Sequence, residues 1–252
     1  MGTPRVVAVV GFKNAGKTRV VEALVAELTR RGHRVGTLKH TAEDAPFDKP
    51  GTDTWRHAEA GAVASAILSE KRTAIFLKRA LSIQRAAGAL GDVDFIVLEG
   101  FKTLDIAPRI IVSRNSAEID ELKTGIEIAV VDISRSTEYA GVLTFDRIED
   151  GAKLADLVEA QAYPLLAGLN CKACGYTSCK EMGKAILEGR TTADKCVNYS
   201  SGVSLKVDGS IVALNNFVQL TLVNVILGFL KTLKGVEEPH RVELDFEVKD
   251  DA

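Results

Sequence analysis

"RVVAVVGFKNAGKTRVVEALV", residues Arg5–Val25, decides how the front of this chain folds. The run Arg5–Val10 is continuously apolar and rich in valine, the pattern of a strand buried on both faces. Beyond it Val20, Val21, Leu24, Val25 and Leu28 recur at helical spacing, and Gly32 stops the helix. Arg34–Lys39 reads as a second strand. Strand, helix, strand predicts a βαβ unit, which a parallel sheet requires. Between the first two elements, Gly11–Thr18 matches G-x-x-x-x-G-K-[ST], directly after a buried strand and opening a helix. Gly11 and Gly16 allow the tight loop. Backbone N–H groups from Asn14 through Ala15 and Gly16 to Thr18 are expected to cradle phosphate, helped by the positive helix end. Lys17 is expected to reach the β and γ phosphates, and the Thr18 hydroxyl to coordinate Mg2+.

A metal-side carboxylate is the usual complement, and "DFIVLEGFK" (Asp94–Lys102) offers two. Asp94 and Glu99 stand at opposite ends of one predicted strand, about 16 Å apart in an extended chain. In open α/β sheets, ligands lie beyond the carboxyl ends of the strands. Glu99 is therefore the candidate to order Mg2+, and Asp94 begins the strand. Ser65–Ser69, Ala74–Leu77, Arg109–Val112 and Glu127–Val131 read as further strands, with Ile148–Ala162 a closing amphipathic helix. The long polar loop Lys39–Ala62 leaves the second strand and supplies Lys39, His40, Asp48, Asp53, Arg56 and His57 as a pool of site residues. Asp53 is equally placed to cap the helix that starts there.

Lys and Arg number 32 against 34 Asp and Glu, so no global charge draws the chain to nucleic acid or an anionic membrane. No secretory leader is legible, and Leu220–Leu230 is too short to span a bilayer. A cytoplasmic protein is expected, where clustered cysteines hold metals more often than disulfides. All the cysteines fall in one segment, Cys171, Cys174, Cys179 and Cys196, spaced C-x2-C-G-x3-C-x16-C. Thiolates are the standard ligands of a [4Fe–4S] cluster. Four sulfurs also suit tetrahedral zinc, but zinc sites typically pair two C-x2–4-C hairpins, and Cys196 has no near partner. Behind them come a hairpin around Asp208-Gly209, a nearly all-round apolar helix over Asn215–Lys234 and a last strand over Arg241–Val248. Such a helix is expected to be buried in the small domain or against a second subunit. The fold class predicted is α/β, a mostly parallel sheet over residues 1–163, followed by a small α+β domain over 164–252.

"GFKNAGKT", the strand exit "LKH", the run "FDKPGTDTWRHAEAGA" and "DFIVLEGFK" followed by "PRIIVSR" together resemble the molybdopterin-guanine dinucleotide biosynthesis protein B (MobB) family over roughly residues 5–160. The resemblance implies the P-loop NTPase fold of GTPases that serve metal-cofactor assembly. It also implies GTP and Mg2+ as ligands, slow hydrolysis at most, and a homodimer. The family's members assist the guanylyltransferase that joins GMP to molybdopterin, the cofactor of a target metalloenzyme. Carried over, Gly11–Thr18 binds phosphate, while Lys17, Asp53 and Glu99 form the catalytic and metal side. Ala15 stands where the family usually has Ser, and Thr52 where Lys is common. There is no N-K-x-D guanine-reading motif, so guanine preference follows from the family and not from these residues. The cysteine segment is similar to a four-cysteine iron–sulfur domain of anaerobic redox and corrinoid proteins. A different class of function fits the same features: a nucleotide-gated iron–sulfur metallochaperone or electron-transfer adaptor for a metalloenzyme.

Overall fold

The computed structural model describes residues 3–42, 47–132, 143–145 and 150–196, and beyond them 203, 205–208, 210–212, 214, 216–234, 236 and 242–245. The first βαβ unit forms as its pattern predicts, with β1 at Arg5–Gly11, α1 at Lys17–Arg30 and β2 at Val35–Lys39. Then follow α2 (Asp53–Glu59), β3 (Ala64–Leu68), β4 (Thr73–Leu77), α3 (Ile83–Ala89) and β5 (Phe95–Glu99). Next come β6 (Arg109–Ser113), α4 (Ser116–Leu122), β7 (Glu127–Asp132), β8 (Leu143–Phe145) and α5 (Gly151–Gln161). The chain continues through β9 (Tyr163–Pro164), α6 (Cys179–Leu187), β10 (Leu205–Val207), β11 (Ser210–Val212) and a last helix, α7, at Asn216–Leu230.

The main sheet runs β2-β5-β1-β6-β7-β8, all parallel, with β9 antiparallel beside the start of β1. Alternate residues of β1 serve its two faces. Val7 and Val9 pack with α1 and α5 through Val20, Leu24, Leu28, Leu154 and Val158. Val6, Ala8 and Val10 pack on the other face with Ile119 and Leu122 of α4. A strand buried on both faces has no room for a polar alternation, which is why β1 reads as one valine-rich run.

β3 and β4 are strands, as expected, but they leave the parallel sheet and pair with each other as a separate antiparallel hairpin. Their connection is too short for a parallel crossover, and the turn is closed by Ser69 N–H on the Arg72 carbonyl at 2.8 Å. On either side of the expected Asp208-Gly209 turn, β10 and β11 likewise form an antiparallel pair. The strand expected over 241–248 is not seen in its described part, since 242–245 are irregular; the remainder, like the Asn215 cap, lies outside the described residues. The expected domain border at 163/164 falls inside β9, whose residues pair with Arg5 and Val6. Among the described residues no helix is long and apolar enough to cross a membrane.

Candidate functional site

The loop between β1 and α1 is shaped by two left-handed residues, Asn14 at φ +62° and Gly16 at φ +87°. Glycine avoids the Cβ penalty of that region, and asparagine tolerates it. Gly11 is required for a different reason: a Cβ there would lie 2.4 Å from the Val112 carbonyl oxygen of β6. Ala15 is fully buried in the core, which anchors the middle of the loop and fits a small side chain. No side chain caps α1 and no acidic residue sits in its first turn. Its first N–H groups therefore keep their pull on an anion.

Lys17 curls back, and its ammonium donates to the Phe12 carbonyl at 2.6 Å. Burial pushes its pKa below the usual lysine value; Lys102, Lys39 and Arg114 push the same way and Glu99 opposes them. The register of the sheet explains the neighbours. Glu99, at the exit of β5, is directly opposite Val9 of β1 and Lys39 of β2. Its Oε1 accepts from the Thr18 hydroxyl at 2.8 Å and pairs with the Lys39 ammonium at 3.1 Å. Lys102 lies with Nζ 3.7 Å from the centre of the Phe12 ring, a cation–π contact. Lys17, Thr18 and Glu99 are thus brought together at the carboxyl edge of the sheet. Chemically this is a cationic, donor-lined loop beside a hydroxyl–carboxylate pair, a setting for a phosphate chain and a hard divalent cation.

Asp53 is not joined to that group. It is exposed in the first turn of α2, and among the described residues no hydrogen bond or ion pair links it to Thr18 or Glu99. Nor does it cap the helix: Thr52 does, accepting from Trp55 N–H at 3.3 Å. The Thr52 hydroxyl also bonds Asp48 Oδ1 at 3.0 Å, while Asp48 Oδ2 is buried with no partner. Arg56 and His57 are exposed on α2, and the His40 ring stacks near Phe101 at 5.3 Å. Asp94 sits just before β5, bonded to Arg34.

Sequence reading missed Arg114, one residue beyond β6, whose charge reaches Lys17. Burial pushes Glu118 up, but hydrogen bonds from the Arg114 side chain and N–H win and hold its pKa below the usual carboxylate range. That pairing fixes the guanidinium at the edge of the site. The available signal was its position at a strand exit.

The cysteine segment folds against the same domain. Cys171 is exposed and Cys174 half-buried, while Cys179 and Cys196 are buried, and none of the four is in a disulfide. The loop before α6 bends through left-handed Asn170, Lys172 and Gly175. Asn170 Oδ1 accepts from Cys179 N–H at 2.8 Å, and Ser178 caps α6. Gly189, at φ +70°, turns the chain back so that Cys196 returns beside α6. Cys174, Cys179 and Cys196 share one apolar cluster with Tyr163, Leu166, Met182 and Ile106. Among the described residues no three His, Cys, Asp or Glu side chains stand as a ready-made metal site. The donor chemistry, four cysteines without a disulfide on one short segment with Cys179 and Cys196 shielded from water, nevertheless fits a thiolate-held metal group.

A family model described as "Molybdopterin guanine dinucleotide synthesis protein B" matches residues 6–133, and one described as "Putative Fe-S cluster" matches residues 166–197. This chain belongs to the MobB family. It is 30% identical over 250 residues, 97% of this chain and 98% of the relative, to a "Putative molybdopterin-guanine dinucleotide biosynthesis adapter protein" of Methanocaldococcus jannaschii. It is also 30% identical over 157 residues, 60% of this chain and 89% of the relative, to the molybdopterin-guanine dinucleotide biosynthesis adapter protein of Escherichia coli. The crystal structure of Bacillus subtilis MobB superposes with a TM-score of 0.54 at 27% identity, covering 63% of this chain and 98% of that one. Family membership thus rests on the phosphate-loop domain, and the full-length likeness to the methanogen protein extends through the cysteines.

Proposed function

We propose that this MobB-family chain binds GTP with Mg2+ at its phosphate loop and carries a [4Fe–4S] cluster on its cysteines. In this reading it is an accessory to the guanylyltransferase that completes the molybdenum or tungsten cofactor. The observation that carries the nucleotide half is the bond from Thr18 to Glu99 at the mouth of a left-handed, uncapped loop. Backbone N–H groups and Lys17 would hold the phosphates, and Thr18 and Glu99 would order the metal. Asp53 would need to reach the site from α2. Guanine preference follows the family.

Cys171, Cys174, Cys179 and Cys196 would hold the cluster, which supplies one-electron chemistry or a structural clamp when bound. Ligation by the full set would draw Cys171 and its loop toward the other thiols. We further read the chain as a homodimer. The exposed Phe217, Val225 and Phe229 of α7 are large apolar side chains that a second subunit would cover. The test is anaerobic purification, with iron and sulfide analysis, calorimetric titration of Mg2+-GTP against Mg2+-ATP, and capture of the guanylyltransferase. A chain that binds neither nucleotide nor iron ends this reading.

A further inference from the structure

Leu104 lies where two packing clusters meet. One holds Phe12 and Phe101 at the nucleotide end of the sheet, and the other holds Cys174, Cys179 and Cys196. Its loop, residues 100–108, leaves β5 directly after Glu99. At the near end Gly100 and Phe101 are left-handed, at φ +94° and +51°, and Lys102 rests on the Phe12 ring. At the far end Ile106 packs among the buried thiols, and its carbonyl accepts from Leu166 N–H at 3.3 Å. One side chain holds the loop's path. Arg109 is fully buried, and its Nη1 donates to the carbonyls of Lys102 at 3.3 Å and Leu122 at 3.0 Å. Its Nη2 donates to the Leu104 carbonyl. A guanidinium inside a strand-rich core is costly unless its donors are used. Here two are used on the backbone of this loop and a third on Leu122 of α4, while Nε is buried with no partner among the described residues.

We propose that loop 100–108 is a wall common to the phosphate site and the thiol site, that Arg109 is its positioning residue, and that filling either site tightens the other. The inference rests on the two-site reading above. A nucleotide seated beside Lys102 and Glu99 favours one path of the loop. A metal group drawn against Leu104 and Ile106 favours the same path. Ordering the loop costs conformational entropy. Whichever ligand binds second meets a loop already ordered, so its affinity rises. The effect must be reciprocal, because it is a single coupling free energy.

The full chain is prepared anaerobically in two forms, loaded with iron and sulfide or stripped by chelator, and Mg2+-GTP is titrated into each. The loaded form is expected to bind about fivefold more tightly or better, the lower end of ordinary site-to-site coupling. Iron affinity against a competing chelator should rise by the same factor under saturating Mg2+-GTP. Amide exchange across residues 100–106 should slow with either ligand. Leu104→Ala and Arg109→Lys should each bind both ligands while the ratio of affinities falls toward one. Leu104→Ala keeps the test open if the buried Arg109→Lys chain does not fold, since it leaves the guanidinium in place. Equal GTP affinity in loaded and stripped wild type overturns the coupling and leaves the two-site reading standing. A ratio that survives both variants overturns the loop as its route. Failure to bind GTP or iron at all overturns both the coupling and the reading beneath it.

Discussion

The Thr18 hydroxyl donates to Glu99 Oε1 at 2.8 Å although 81 positions separate the two residues in the chain. Parallel pairing of β1 with β5 makes the contact, because Val9 stands opposite Glu99 while Thr18 opens the helix that follows β1. In the function proposed, the pair would form a metal side for the phosphate loop. Thr18→Ala should therefore weaken Mg2+-dependent GTP binding by about tenfold or more, the scale of a lost hydrogen bond to a charged group. Lys17→Ala should cost at least as much, because it removes the charge itself. Calorimetry with and without Mg2+ checks both. Unchanged GTP affinity in Lys17→Ala would rule out this site.

Gly11→Ala should destabilise the domain, since the new Cβ would stand 2.4 Å from the Val112 carbonyl oxygen. Both atoms belong to paired central strands, so neither yields easily, and overpacking of this kind costs about 1–3 kcal/mol. Chemical denaturation should show a lower midpoint. An unchanged midpoint would mean that β1 and β6 admit the extra methyl group without strain.

Asp94 gives a pH-dependent contribution to stability. Hydrogen bonds from the Arg34 side chain and N–H hold its carboxyl at about 2, against the usual 3.8. The folded pKa is lowered, so the stabilisation is fully present above the unfolded value of 3.8 and is lost as pH falls through 2. Asp94→Asn should melt below wild type at pH 5, with the gap closing by pH 2. A gap that is constant with pH would assign the effect to packing instead of charge.

Cys179→Ser should lose or destabilise the cluster and loosen the C-terminal segment, because ligand binding and folding are coupled in small metal domains. Wild type prepared without oxygen should be brown, with about four irons and four sulfides per chain. GTP binding, if the proposed site holds it, should survive in Cys179→Ser, since the phosphate-loop region has its own core. Colourless protein with stoichiometric zinc would replace the cluster by a structural zinc site.

Val225 is 64% exposed on α7, between exposed Phe217 and Phe229. Charge insertion by Val225→Glu or Leu222→Glu should weaken a dimer that covers this helix, shifting sedimentation toward the monomer. A wild-type monomer at micromolar concentration would remove the dimer altogether. A dimer insensitive to both changes would place its interface elsewhere.

What the sequence by itself determined is what neighbouring residues determine. The strand–loop–helix of Arg5–Arg30 was legible because burial on both faces, a glycine-flanked turn and helical periodicity are local patterns. The four thiols were legible as a donor set for the same reason. That β3 and β4 form a hairpin was also within reach, since the short link from Leu68 to Thr73 leaves no length for a crossover.

Tertiary structure decided which distant side chains meet. Strand order placed β5 between β1 and β2, and this alone set Glu99 against both Thr18 and Lys39 while leaving Asp53 on a separate helix. Arg109 reads in sequence as the first residue of an apolar strand, yet the fold buries it and turns its donors onto Lys102 and Leu104. The same loop then reaches the thiols. Parallel strands pair across crossovers that carry no register information of their own, so such contacts arise only when the sheet closes.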